Sequence, residues 1–144
     1  MINTIKTAIK NKLDGITSIQ EINTYERVGF EGNPAVNITV VGNEGEFNST
    51  AMNKRELNFL IRVFIPLKGN PALEEGDNSK AEAEATMADV VDDILTAFDE
   101  DITLGRTVDW LRAAPSNWGY VPAGEGFLRT ADINIKAIKK IIVR

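Results

Sequence analysis

A strict alternation of apolar residues over positions 56–67 constrains the fold more than any other feature of the sequence. Every odd-numbered position of ELNFLIRVFIPL is large and apolar: Leu57, Phe59, Ile61, Val63, Ile65 and Leu67. Because successive side chains of a strand point to opposite faces, this spacing predicts a long β-strand with one face in the core. The opposite face carries Asn58, Leu60, Arg62 and Phe64. Since Leu60 and Phe64 are apolar, we expect something to cover that face as well.

Weaker alternation and turn residues predict the remaining strands and their connections. Further strands are predicted over residues 19–27, 35–41, 106–113 and 127–138. Residues 42–54, GNEGEFNSTAMNK, are polar and contain two glycines, so they predict a long connection. Residues 113–129, AAPSNWGYVPAGEGFLR, combine glycines and prolines around two aromatic residues and predict a second loop.

Two segments have the periodicity of amphipathic helices. The first has apolar residues three or four positions apart and is predicted to end near Gly15: Ile2, Ile5, Ile9, Leu13 and Ile16. The second is predicted over residues 79–98, because Ser79 and Glu82 have the spacing of a capping box. Its predicted apolar stripe consists of Ala81, Ala85, Ala88, Val91, Leu95 and Phe98, with Met87, Val90 and Ile94 beside it. Its predicted outward-facing acids are Asp89, Asp92 and Asp93.

The order of these elements predicts the fold class. A helix, two or three strands, a long helix and two further strands fit within the 144 residues of one domain, residues 1–144. Most strand connections are short enough for antiparallel neighbours. We therefore predict an α+β fold, with a mostly antiparallel sheet of about four or five strands and two helices packed on one face.

The residue inventory argues against common catalytic chemistry. The chain contains no cysteine and no histidine, which removes the usual nucleophile pairs and the usual zinc, haem and iron–sulfur ligands. The acidic run that starts at Asp99 resembles the start of a calcium loop, but Leu104 stands where a glycine must turn and Trp110 where a glutamate must bind. We expect no catalytic residue, no metal site and no cofactor.

Charge is distributed unevenly along the chain. The net charge is -5, and residues 74–101 contain eleven acids against one base, Lys80. This balance disfavours tight nucleic-acid binding but is compatible with DNA passing an acidic wall without sticking. No apolar run approaches the roughly 20 residues that span a bilayer, and MINTIKTAIKNKL has no apolar signal core, so we expect no membrane association and synthesis in a cytoplasm.

Trp118 and Tyr120 allow two interpretations. Aromatic residues in a loop often anchor it to its own domain, but Trp and Tyr are also enriched where proteins meet. The C-terminal residues Ile141 and Val143 pose the same question, because aliphatic side chains near a chain end favour a covering partner. We interpret both regions as partner-facing surfaces.

The layout of the chain resembles the tail terminator, or tail-completion, proteins of long-tailed bacteriophages. The resemblance rests on an N-terminal amphipathic helix, a turn before Pro34, the strand over 56–67, one acidic helix and a closing strand pair around Trp118 and Gly119. It implies a virion protein that forms a ring, commonly a hexamer, at the head-proximal end of the tail tube. Such a ring stops tube growth, binds the tail tube protein and the head connector protein, and lets DNA pass. It needs no active site.

The resemblance also suggests which residues meet partners. Candidates for the ring or partner interface are Glu44, Glu46, Phe47, Leu60, Phe64, Trp118, Tyr120, Ile141 and Val143. Residues 42–54 are interpreted as a contact arm, and Asp89, Asp92 and Asp93 are candidates for facing the lumen. Two alternatives stay open: another phage neck, head-completion or minor tail protein, and a small oligomeric binding protein or carboxylate-based enzyme with a concave pocket.

Overall fold

The computed structural model describes residues 1–27, 29–47, 52–67, 78–123 and 126–142; at 43–47, 52–53, 78–80, 123 and 141–142 only the backbone is described. The elements are, in chain order, α1 (Ile2–Asp14), β1 (Glu21–Asn23), β2 (Ala35–Phe47), β3 (Met52–Leu67), α2 (Asn78–Asp99), β4 (Trp110–Ala123) and β5 (Gly126–Ile142). The predicted α+β class is confirmed.

The five strands form one sheet in the order β1-β2-β3-β5-β4. The pair β1 and β2 is parallel, and the other three neighbouring pairs are antiparallel. β3 pairs with β5 along its whole length, from Met52 opposite Ile142 to Leu67 opposite Phe127. The strand with the strongest alternation in the sequence is therefore the central strand of the sheet.

The core lies between one face of this sheet and the two helices. The odd-numbered side chains of β3 from Leu57 to Leu67 are all buried, as predicted. Ala131, Ile133, Ile135 and Ala137 of β5 extend the same face, and Ile5, Ile9 and Leu13 of α1 join the same cluster. Gly15 is the C-cap residue of α1, so the predicted helix end is confirmed.

The predicted polar connection over residues 42–54 is wrong. β2 continues to Phe47 and β3 begins at Met52, with register pairs from Gly42 opposite Asn58 to Phe47 opposite Asn53. A β-bulge between Val40 and Gly42 interrupts the ladder. Backbone pairing to a long neighbouring strand satisfies donors and acceptors whatever the side chains are, so a polar sequence can continue a strand when its neighbour is already fixed.

The predicted loop over residues 113–129 is also wrong. Residues 113–123 and 126–129 belong to the antiparallel strands β4 and β5, which pair from Trp110 opposite Ile138 to Ala123 opposite Gly126. The strand predicted over 106–113 begins instead at Trp110, because the backbone of Leu104, Gly105 and Arg106 turns through positive φ angles. The strand predicted over 19–27 shortens to Glu21–Asn23.

The bounds predicted for α2 agree with the structure to within one residue, but its buried stripe differs. Its buried side chains are Ala83, Met87, Val90, Val91, Ile94 and Phe98. Ala81, Ala85 and Ala88, which were predicted to be buried, are exposed. An alanine buries little apolar area, so the helix packs with its larger side chains inward and leaves these three outside.

Candidate functional site

Part of the sheet's outer face is covered by the chain itself. The segment that follows β1, residues 24–34, crosses this face, and Phe30 stacks on Phe64 with ring centroids 4.6 Å apart. Only 7% of Phe64 is exposed. The cover that the sequence led us to expect is thus supplied within the chain, and Phe64 presents little surface to a partner.

A bidentate ion pair lies beside this aromatic stack. Nε of Arg62 donates to Oδ1 of Asp132 at 2.7 Å, and Nη2 donates to Oδ2 at 3.1 Å. Asp132 is buried, while Arg62 also reaches Glu26 of the covering segment at 4.0 Å. The hydrogen bonds that Arg62 donates to Asp132 are the largest cause of a pKa of Arg62 above its ordinary value. The pair joins β3 and β5 and extends to the segment above them.

Glu21 holds the far end of the same segment. Its Oε1 accepts the backbone N–H groups of Glu31 at 2.8 Å and Gly32 at 3.0 Å, and its Oε2 accepts the amide of Asn23 at 2.8 Å. The hydrogen bond from Asn23 and these backbone donors hold the pKa of Glu21 below its ordinary value. Position 32 requires glycine, because a Cβ there would lie 2.7 Å from Cβ of Glu21.

The rest of the outer face is open, and we call it the uncovered sheet face. Strand alternation and register assign to it Lys54, Glu56, Asn58, Leu60, Trp110, Arg112, Ala114, Asn134, Lys136, Ile138 and Lys140. Among them are four cations and one carboxylate, and the backbone register of β2 also places Glu44 opposite Glu56 and Glu46 opposite Lys54. A groove of about 400 Å³ lies on this face, lined by Val41, Asn58, Phe59, Arg112, Ala114, Asn134 and Lys136. Leu60, an interface candidate from the sequence, is half-buried beside it.

The register brings like charges together on the uncovered sheet face. Arg112 stands directly opposite Lys136, and Lys54 stands directly opposite Lys140. Glu56 forms an ion pair with Lys136. Like charges directly opposite each other destabilise a sheet, so a carboxylate from a partner would stabilise this face beside Arg112, which has no ion pair within the described residues.

Trp118 and Tyr120 lie on the other face, the one that carries the helices. A bulge between Pro115 and Trp118 shifts the alternation of β4, so that Trp118 pairs with Ala131 and Tyr120 with Arg129. The Arg129 guanidinium carbon lies 5.3 Å from the Trp118 ring centroid and 4.6 Å from that of Tyr120. These distances fit cation–π contacts. The two rings are still 40% and 44% exposed. They are thus anchored to their own domain and also reach solvent, and their contact with a partner stays a prediction.

Glu84 of α2 completes this aromatic cluster. Its Oε1 lies 2.7 Å from Nε of Arg129, although this N–H does not meet hydrogen-bond geometry, and it accepts a hydrogen bond from the Tyr120 hydroxyl at 3.3 Å. Arg129 also donates to the Gly119 carbonyl at 3.1 Å. Sequence reasoning missed Arg129 and Glu84, because the bulge that brings them to the aromatic rings has no periodic signal.

The solvent side of α2 is uniformly acidic. Residues 81–100 contain seven carboxylates and no lysine or arginine: Glu82, Glu84, Asp89, Asp92, Asp93, Asp99 and Glu100. All seven are exposed, which confirms that Asp89, Asp92 and Asp93 face outward. Asp93 accepts a hydrogen bond from Ser18 at 3.1 Å. We call this surface the acidic helix face; it lies on the side of the molecule opposite to the uncovered sheet face.

Several candidates from the sequence lie partly or wholly outside the described side chains. Glu44, Glu46 and Phe47 have their backbone in β2, paired with β3, and Ile141 has its backbone in β5. Val143 lies outside the described residues. Residues 42–47 and 52–54 thus belong to a strand pair and not to a loop, and residues 48–51 are not described; the contact role of this segment stays a prediction.

Within the described ranges, no group of three or more acidic residues could hold a metal ion. None of the helices in the described part of the chain combines the length and apolarity of a membrane span. No protein-family model matches the chain, and no curated protein matches it.

Proposed function

We propose that this protein is a structural virion component that acts as a phage tail terminator. Several copies form a ring, most simply a hexamer, at the head-proximal end of the tail tube. The ring stops tube polymerisation and offers a surface to the head connector. The proposal assigns no catalytic residue and no cofactor; the mechanism is the presentation of different surfaces to a ring neighbour, the tube and the connector.

The distribution of exposed apolar side chains is the observation that carries this proposal. Among the described residues, nine large apolar side chains are exposed, and six of them lie on β2 or β4: Val40, Val41, Trp110, Trp118, Tyr120 and Val121. β4 is one edge of the sheet, and β2 is the other edge beyond its short pairing with β1. An edge strand with exposed apolar side chains favours association with another chain.

The net charge of the protein supports the passage of DNA. With a charge of -5, the assembled ring repels phosphates and gives a translocating strand no adhesive surface. The sequence-based placement of Asp89, Asp92 and Asp93 in the lumen is a separate prediction, which depends on how α2 is oriented in the ring.

Tube polymerisation in vitro tests the proposal. The protein is added to a purified phage tail tube protein, and tube lengths are measured by electron microscopy. We expect tubes that stop at a defined length with one capped end, whereas tubes without the protein keep growing. Unchanged tube growth would contradict the proposal. Binding to the connector without any effect on tubes would identify a head-completion protein instead.

A matched pair of variants tests the role of the sheet edge in the same assay. Trp118→Ala combined with Val121→Ala removes apolar area from the β4 edge, and we expect it to cap fewer tubes. Tyr25→Ala combined with Ile102→Ala removes comparable exposed apolar side chains away from the edge strands. We expect this control to cap tubes as the unmodified protein does.

A further inference from the structure

The two oppositely charged surfaces of the molecule lie on opposite sides of the same sheet. α2 packs on the core face with its carboxylates outward, and the uncovered sheet face points away from it. The first surface contains seven acids between residues 81 and 100, and to the second β4 and β5 contribute three cations, Arg112, Lys136 and Lys140, and no acid. Each surface therefore complements the other on a second copy of the chain.

We infer that the acidic helix face of one copy binds the uncovered sheet face of the next, with α2 lying along the groove beside Arg112. The inference rests on the proposed function in one respect, the assembly of several copies. Because two different surfaces meet, the contact is heterologous, and repeated contacts of this kind give a closed ring or an open filament. A closed ring is the form that a terminator requires.

The charges of the groove favour an acidic partner. Among the described residues no ion pair involves the exposed side chain of Arg112, and Lys136 stands opposite it. Because Lys136 already pairs with Glu56, a carboxylate from a neighbouring helix would pair with Arg112 and offset the remaining positive charge of the groove. Glu82, Asp89 and Asp92 are exposed acids of α2 that have no ion pair within the described residues.

The shape of both surfaces also fits this contact. The helix exposes Ala81, Ala85 and Ala88 between its acids, so its backbone can approach a sheet closely. Val41 and Trp110, which are 62% and 40% exposed, flank the uncovered sheet face and supply apolar area at its borders. Small residues on the helix and apolar side chains around the groove together allow a contact that excludes water between the charged groups.

The inferred contact places α2 at the interface between two subunits and not in the lumen of the ring. In this arrangement Asp89 and Asp92 face a neighbouring subunit, and the interior of the ring is formed by other surfaces. Duplex DNA is the competing ligand for a basic face, but the net charge of -5 opposes its approach, whereas every neighbouring copy carries a matching acidic helix.

Charge reversal of each surface tests the contact. The variant Arg112→Glu, Lys140→Glu reverses the basic face, and the variant Asp89→Lys, Asp92→Lys reverses the acidic one. None of these four side chains takes part in an ion pair within the described residues, so we expect all to fold, as thermal unfolding would show. Lys6→Glu combined with Lys10→Glu on α1 is the matched control. The readout is the oligomer mass from native mass spectrometry and sedimentation at low salt.

We expect the unmodified protein and the control to form multimers and each reversed variant to remain monomeric, with contacts weakened by about tenfold or more. In an equal mixture of the two reversed variants, the intact acidic helix face of one meets the intact uncovered sheet face of the other, and the two reversed faces are also oppositely charged, so the mixture regains multimers in which the variants alternate. Salt at high concentration dissociates these mixed multimers. Only a heterologous contact produces this pattern.

Three results would overturn the inference: multimers that persist in both reversed variants, a mixture that stays monomeric, or labelled duplex DNA that binds the unmodified protein and is released by Arg112→Glu while assembly is unchanged. The outcome is separable from that of the tail terminator proposal. Reversed variants that assemble only when mixed, from a protein that leaves tubes growing, would support the contact and refute the function; capped tubes with multimers that persist in both reversed variants would do the opposite.

Discussion

The two faces of the sheet are held in different ways, and the difference shows which contacts a sequence can specify. On the helix side, the alternating residues of β3 and β5 are buried under α1 and α2 chiefly by apolar packing. On the outer side, only the part under residues 24–34 is covered, through an aromatic stack, one bidentate ion pair and the hydrogen bonds of Glu21. The first face is stabilised by the large apolar area that it buries, and the second by one aromatic stack and a few specific polar contacts.

The largest expected effect is on the helix side. Phe59→Ala removes a side chain that is 1% exposed, and we expect the free energy of unfolding to fall by about 3–5 kcal/mol because of lost burial and the cavity left behind. Leu60→Ala on the opposite face removes a half-buried side chain and should cost about 1 kcal/mol. Urea unfolding of both variants measures the difference. Equal losses would show that the two faces contribute alike.

The second prediction concerns the ion pair on the outer face. Asp132→Ala leaves Arg62 without its bidentate partner, and we expect a loss of about 2–3 kcal/mol. Asn134→Ala, two residues along the same strand and exposed, should change stability by less than about 0.5 kcal/mol. A thermal unfolding series detects both. If Asp132→Ala matched Asn134→Ala, the covering segment would not depend on this pair.

The third prediction concerns the aromatic stack. Phe30→Ala removes its contact with Phe64, and we expect a loss of about 1–2 kcal/mol from the ring pair and its buried area. Hydrogen exchange should increase in residues 24–34 while the amides of α2 keep their protection, since the helix lies on the other side of the sheet. Faster exchange throughout the molecule would mean that the two faces unfold together.

The smallest expected effect is a pH dependence, compared between two carboxylates. Glu21 on the outer side and Asp101 on the helix side both have a pKa held below the ordinary value, the first chiefly by the Asn23 amide and the second chiefly by Lys12 at 2.8 Å. A lowered folded-state pKa gives stability that is present above the unfolded-state value and is lost as the pH falls through the folded-state value.

We therefore expect the stability difference between the unmodified protein and Glu21→Gln to narrow as the pH falls below about 4.5, the ordinary value for this group. For Asp101→Asn the narrowing should begin lower, below about 3.8. Urea unfolding at a series of pH values between 6 and about 2.5 measures both curves. Parallel curves for Glu21→Gln and the unmodified protein would contradict the assigned hydrogen bonds.

The sequence by itself determined the core side of the molecule. The period of two in β3 and β5 and the helical spacing of α1 placed their buried residues correctly, because burial against one face is repeated at every turn or every second residue of an element. The extent of α2 also followed from local signals. Which side of α2 faces the core did not follow from the sequence, because alanine fits an apolar stripe and a solvent-exposed face equally well.

Only the tertiary structure decided the outer face, the sheet edges and the surfaces that partners can reach. Residues 42–47 and 113–123 became strands because long neighbours were available to pair with them, and two bulges then changed which side chains share a face. Arg62 meets Asp132 across 70 positions of sequence, and Arg112 meets Lys136 through register alone. Such contacts depend on how distant strands align, and local periodicity carries no information about that alignment.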